Sequence, residues 1–114
     1  MSDITIYHNP RCSKSRETLA LLENKNVTII KYLETPPSIE ELQTIIAQLG
    51  FDSARKLMRT KEAIYKTLNL KNETNEIALL TAMVENPKLI ERPIVLANGK
   101  AAIGRPPESV LAII

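Results

Sequence analysis

Ile4-Thr5-Ile6-Tyr7-His8, then Thr18-Leu19-Ala20-Leu21-Leu22-Glu23, then Val27-Thr28-Ile29-Ile30-Lys31-Tyr32 follow one another closely, and their order decides the fold. The first segment alternates apolar and polar residues and is rich in β-formers, so it reads as a strand ended by Asn9-Pro10. The second is built of good helix formers and is closed by Asn24-Lys25-Asn26. The third is β-branched and aromatic, which favours a second strand. Strand, helix and strand in succession imply a parallel pair with a right-handed crossover.

Outward from this unit, Glu34-Thr35-Pro36-Pro37 is a rigid break. Ser38-Ile39-Glu40-Glu41 is a capping box, in which Ser38 caps the helix start and Glu41 reaches back. Ile39, Leu42, Ile45, Ile46 and Leu49 keep helical spacing, and Gly50 is the expected stop. Asp52–Met58 and Lys61–Leu68 read as two further short helices. Asn72-Glu73-Thr74-Asn75 is turn-like, and Ile77, Leu80, Met83 and Val84 form another helical stripe before Asn86-Pro87. Residues 38–91 are therefore expected to be a helical insert. Pro93–Leu96 is a third strand, and Asn98-Gly99 calls for a type I′ turn into Ala101–Ile103. Pro106-Pro107-Glu108 suits the start of a final short helix. This is the thioredoxin order. The expected class is α/β: a thioredoxin-like sheet, made of a βαβ unit plus a β-hairpin, with a helical insert between the second and third strands. One domain over residues 1–114 accounts for the whole chain.

Composition narrows the function. The 114 residues carry 15 Lys plus Arg against 13 Asp plus Glu, a net charge of +2, which suits neither a polybasic nucleic-acid arm nor an acidic tail. A hydrophobic share of 44% is enough for a core. No apolar run nears the ~18 residues of a membrane span, and Met-Ser-Asp-Ile-Thr lacks the basic and apolar regions of a signal peptide. A cytoplasmic location is expected, with neither nucleic acid nor membrane as partner. One cysteine and one histidine exclude an internal disulfide and a four-ligand structural zinc site, so no metal is expected.

The single thiol is Cys12, within Asn9-Pro10-Arg11-Cys12-Ser13-Lys14-Ser15-Arg16. It falls where the first strand ends and the helix begins, the ligand-binding end of an open α/β sheet. A free thiol is only ~3% ionised at pH 7. A helix N-terminus, with Arg11, Lys14 and Arg16 beside it, should lower the pKa into the range ~3.5–7.5. The same N–H groups and dipole bind oxyanions, and Ser13 and Ser15 add hydroxyls. A lone cysteine is often a small buried hydrophobe, but these polar neighbours argue against apolar burial. His8 either tunes the thiolate by hydrogen bonding or is a satisfied strand-end histidine. Arg92 precedes Pro93 at the third strand, Arg105 precedes the final helix, and Arg59 lies in the insert. A guanidinium fork matches a tetrahedral oxyanion. On spacing alone each reads more readily as a surface charge, and loop placement favours Arg92 and Arg105.

Tyr7-His8-Asn9-Pro10-Arg11-Cys12-Ser13-Lys14-Ser15-Arg16 closely resembles the signature of the glutaredoxin-coupled arsenate reductase family. The resemblance continues at Tyr32–Pro37, Leu57-Met58-Arg59, Leu89-Ile90-Glu91-Arg92-Pro93-Ile94-Val95 and Ile103-Gly104-Arg105-Pro106-Pro107-Glu108, so it spans essentially the whole chain. It implies a thioredoxin-like fold with Cys12 as nucleophile and Arg59, Arg92 and Arg105 as oxyanion-binding arginines. His8 and Ser15 would tune the thiolate. The implied substrate is arsenate, reduced to arsenite through a Cys12 adduct. Glutathione is the implied co-substrate, glutaredoxin the implied partner, and no bound cofactor is needed. Independently of the resemblance, the lack of a second cysteine requires an external resolving thiol. Two other functions share the fold. A redox-responsive transcription regulator of the Spx type, binding RNA polymerase, often carries a Cys-x-x-Cys switch, but here Ser15 occupies the second position. A monothiol glutaredoxin-like oxidoreductase is compatible with Cys12-Ser13-Lys14-Ser15 and leaves the arginines without a purpose.

Overall fold

The computed structural model describes residues 4–23 and 25–114. Met1–Asp3 and Asn24, the latter part of the expected helix-closing turn, lie outside the described residues. Two compact units result, Met1–Thr35 with Arg92–Ile114, and Pro36–Glu91.

In the first unit, β1 (Ile4–Tyr7), α1 (Ser13–Leu21) and β2 (Val27–Ile30) form the βαβ unit, with β1 and β2 parallel from Ile4↔Val27 to Tyr7↔Ile30. β3 (Ile94–Ala97) pairs antiparallel with β1, and β4 (Lys100–Ile103) with β3, so the sheet order is β2-β1-β3-β4. The β3–β4 turn has positive φ at both Asn98 (55°) and Gly99 (72°), as a type I′ turn requires. Side chains alternate across the pleat, so Ile4 and Ile6 of β1 and Val95 and Ala97 of β3 bury one shared face with Leu22 and Val110. Burying each such aliphatic side chain contributes roughly 1.5–3 kcal/mol. Position β2 is an edge, and its Ile29 is correspondingly 48% exposed.

The other unit contains α2 (Ile39–Leu49), α3 (Ala63–Thr67) and α4 (Glu76–Glu85), with 3-10 turns at Ala54–Leu57, Leu70–Asn72 and Pro87–Leu89. The capping box at α2 is complete: Glu41 N–H donates to Ser38 Oγ (3.1 Å) and Ser38 N–H to Glu41 Oε1 (3.0 Å). Gly50 ends α2 in the left-handed region at φ 75°. Asn75 caps α4, accepting from Ile77 N–H at 2.9 Å. Leu42 and Ile45 of α2 and Leu79, Leu80 and Met83 of α4 are buried. Arg55 ties the intervening chain together by donating to Tyr65 Oη and to the carbonyls of Leu70 and Glu73.

Two expected helices are tighter than anticipated. Asp52–Met58 contracts to a 3-10 turn at Ala54–Leu57, and the closing segment Pro107–Ala112 is likewise 3-10. Neither closes the i→i+4 ladder of an α-helix. Instead Ser109 N–H closes an i→i+3 bond to the Pro106 carbonyl at 3.0 Å. Among the described residues no helix is long and apolar enough to cross a membrane.

Candidate active site

Cys12 is the N-cap residue of α1, in an extended conformation (φ −97°, ψ 124°). Its own N–H donates to the Asn9 carbonyl at 3.0 Å, and its carbonyl accepts from Arg16 N–H at 3.0 Å. Its backbone thus starts the helix, while the sulfur stands where a serine or aspartate oxygen usually caps. No side-chain capping hydrogen bond is closed. Cys12 as a residue is 8% exposed.

Burial alone would push the thiol pKa up. The backbone N–H of Ser15, the Arg92 guanidinium and the backbone N–H of Lys14 outweigh it and hold the pKa below that of a free thiol. The expected lowering is therefore present, and only the cation that contributes to it differs from expectation. The helix N–H groups act as expected, but among the cations Arg92 acts in place of the Arg11, Lys14 and Arg16 side chains.

Arg105 approaches the sulfur from the other end of the chain, with Nη2 at 3.6 Å from Cys12 Sγ. Its Nε donates to the Arg92 carbonyl at 2.8 Å, so one guanidinium bridges the thiol and the residue preceding β3. Both arginines precede cis prolines, Pro93 and Pro106. Gly104 allows this approach. A Cβ there would stand 2.3 Å from Thr18 Oγ1 and 2.7 Å from Pro93 Cγ, so only glycine lets the strand end pass α1.

His8 and Ser15 are both buried, with His8 Nδ1 2.6 Å from Ser15 Oγ. Ser15 Oγ also accepts from Asn9 N–H at 3.0 Å. Burial first, then the charges of Lys31 and Arg16, lowers the His8 pKa, so the ring is neutral near pH 7. A neutral imidazole satisfies the bond in either tautomer, because the hydroxyl both donates and accepts. The two residues thus brace the α1 N-terminus: His8 holds the Ser15 side chain, and the Ser15 backbone faces the sulfur.

Arg59 belongs to the other unit. There it pairs with Glu62 at 3.4 Å and lies 3.9 Å from Glu91, near the Met58↔Ile90 bridge. Cys12, Ser15, Arg92 and Arg105 are gathered within the first unit, with His8 behind Ser15. Sequence reasoning missed Asn9, whose carbonyl and N–H hold Cys12 and Ser15. An Asn-Pro pair at a strand end was the available signal for Asn9. Among the described residues no group of three His, Cys, Asp or Glu side chains is placed to hold a metal ion.

A βαβ unit, a β-hairpin and an ionisable thiol at the first helix N-terminus, flanked by two arginines, define a thioredoxin-like protein. The ArsC family pattern matches residues 7–113, and the chain belongs to the ArsC family. It is 52% identical to an arsenate reductase of Neisseria meningitidis over 100% of both chains. It is 59% identical to the uncharacterized protein YfgD of Escherichia coli, over 97% of this chain and 96% of that one. A solved structure described as an arsenate reductase from Vibrio cholerae superposes with a TM-score of 0.94 at 58% identity, over 98% of each chain.

Proposed function

We propose that this protein reduces arsenate to arsenite, with Cys12 as nucleophile and glutathione and glutaredoxin as the reducing system. The observation that carries the proposal is the Arg105–Cys12 contact of 3.6 Å, made by a guanidinium anchored on the Arg92 carbonyl. A thiolate placed this way meets an incoming oxyanion with cationic donors already aimed at the developing charge. The names of the relatives support the choice of arsenate among oxyanions.

The Cys12 thiolate attacks arsenic, forming the S–As bond while one oxygen takes up two protons and leaves as water. The N–H groups of Ser15 and Lys14, with Arg92 and Arg105, hold the remaining oxygens. Arg59 is assigned as a third oxyanion ligand, on the strength of the motif resemblance. Glutathione then attacks the Cys12 sulfur. An S–S bond forms, the S–As bond breaks with its electron pair going to arsenic, and arsenic(V) becomes arsenic(III). Arsenite leaves, and the sulfurs of Cys12 and glutathione are together oxidised to a mixed disulfide. Glutaredoxin clears it by thiol–disulfide exchange.

Arsenate-dependent NADPH oxidation, coupled through glutathione, glutaredoxin and glutathione reductase, tests this directly. Turnover that needs all three components is the expected result. No turnover, together with tight binding to RNA polymerase, would instead identify a regulator. Deglutathionylation of proteins without arsenate turnover would identify a monothiol oxidoreductase.

A further inference from the structure

Beside the turn that leads into Cys12 lies a cavity of about 330 Å3, lined by Arg11, Lys31 and Glu34 together with Asn9, Pro10 and Leu33. Its volume is on the scale of small-molecule sites, ~300–1,000 Å3. Local structure explains why the three charges share it. Asn9 Oδ1 accepts from Arg11 N–H at 3.0 Å, which folds the Arg11 turn beneath the strand end. The Lys31 carbonyl accepts from the N–H groups of both Glu34 and Thr35 at 2.9 Å, so a tight turn brings Lys31 and Glu34 to one rim. Leu33, 44% exposed, adds an apolar surface between them. All three charged side chains are exposed, and among the described residues none of them takes part in an ion pair. The cavity also touches His8, whose proton affinity Lys31 lowers after burial has done so, and the oxyanion chemistry described above uses none of the three charges.

Two cations and one carboxylate around a single cavity complement a zwitterion: a carboxylate between Arg11 and Lys31, and an ammonium on Glu34. The Cys12 backbone adjoins the cavity lining, because Cys12 follows Arg11 and donates its N–H to the Asn9 carbonyl at 3.0 Å. The reductant must bring its own sulfur to Cys12. Glutathione has a carboxylate at each end, but only its γ-glutamyl end carries an ammonium beside one. We propose that this cavity binds the γ-glutamyl end of glutathione and so positions its thiol at Cys12, an assignment that rests on the glutathione-dependent function proposed above.

The test uses S-methylglutathione, which has the same ends and no reactive thiol. Titrated into the protein and followed by backbone amide NMR, it should give saturable shifts at residues 8, 9, 11 and 31–34. Lys31→Glu and Glu34→Lys should each weaken binding by roughly tenfold or more, as loss of a charge-assisted hydrogen bond implies. The milder Lys31→Gln and Glu34→Gln, with unchanged amide spectra elsewhere, separate this from misfolding. S-methyl-γ-glutamylcysteine should bind like the full tripeptide, and S-methylcysteinylglycine far more weakly. In turnover, KM for glutathione should rise in the charge-reversal variants while KM for arsenate stays put. Shifts elsewhere or none, unchanged affinity in the variants, or equal binding of the two truncated analogues would each overturn the assignment. If no thiol supports arsenate reduction yet Lys31→Glu abolishes S-methylglutathione binding, the cavity assignment stands and the functional proposal fails. Glutathione-dependent turnover indifferent to both reversals sinks the cavity assignment alone.

Discussion

His8 Nδ1 stands 2.6 Å from Ser15 Oγ, and the Ser15 backbone N–H is among the groups that favour the Cys12 thiolate. The histidine therefore reaches the thiol through the placement of Ser15 and not through charge. Truncating either side chain should raise the apparent pKa of Cys12, by up to about one unit, since hydrogen bonds to ionised groups are worth ~1.5–3 kcal/mol and only alignment is lost. His8→Asn, which keeps a polar partner, should raise it less than His8→Ala. The pH dependence of iodoacetamide alkylation reads this, and an unchanged titration in His8→Ala would rule out the relay.

The same histidine makes stability depend on pH. Its folded pKa is lowered by burial and then by Lys31 and Arg16, so the unfolded chain binds the proton more readily. The resulting stability is fully present above the unfolded value of ~6.5 and is lost as pH falls from there toward the folded pKa. Urea denaturation midpoints should drop through that window in the natural sequence. In His8→Asn the drop should be smaller. Equal slopes in both proteins would show that another group sets the acid limb.

Arg92 and Arg105 offer forks, and not merely charge, at the thiol. Replacing either by alanine removes charge-assisted hydrogen bonds worth ~1.5–3 kcal/mol each, so kcat/KM for arsenate should fall roughly 10- to 150-fold. Lysine should recover only part of the loss, because it restores the charge without the planar geometry. Full recovery by lysine at position 105 would mean that the link from Nε to the Arg92 carbonyl is dispensable.

Gly104→Ala should destabilise the fold through contact alone. The new methyl would lie 2.3 Å from Thr18 Oγ1 and 2.7 Å from Pro93 Cγ, both in tightly packed surroundings. Overpacking of this kind typically costs ~1–3 kcal/mol, or several degrees of Tm per kcal/mol in a domain of this size. Thr18→Ala should rescue part of the loss by removing the closest atom. Purely additive effects of the two substitutions would contradict the contact.

Features that are local in the chain were legible from it. The βαβ unit, the Ser38–Glu41 capping box, the Gly50 stop and the Asn98-Gly99 turn each depend on a few adjacent residues, and each appears as expected. Cys12 at a helix N-terminus is legible for the same reason. The contact of Cys12 with Arg105 is not, because 93 residues separate them and only the β1–β3–β4 register brings them together. Resemblance to a family, not spacing, singled out Arg105. The cation behind the lowered thiol pKa was misjudged because Arg11, Lys14 and Arg16 stand beside Cys12 in sequence, whereas Arg92, which acts on it, lies far along the chain. The carboxylate pairing of Arg59 with Glu91 was hidden by the same long separation in sequence.

Arsenate turnover by Cys12→Ser, run beside the natural protein in the coupled assay, goes to the centre of the account. Serine keeps the cavity, the helix N-terminus and both arginines, and removes only the sulfur that must bond to arsenic and then to glutathione. The expected rate is that of glutathione alone, with the fold intact by circular dichroism and some oxyanion affinity retained. A folded Cys12→Ser protein that still reduces arsenate above the glutathione background would show that the thiol is not the reaction centre.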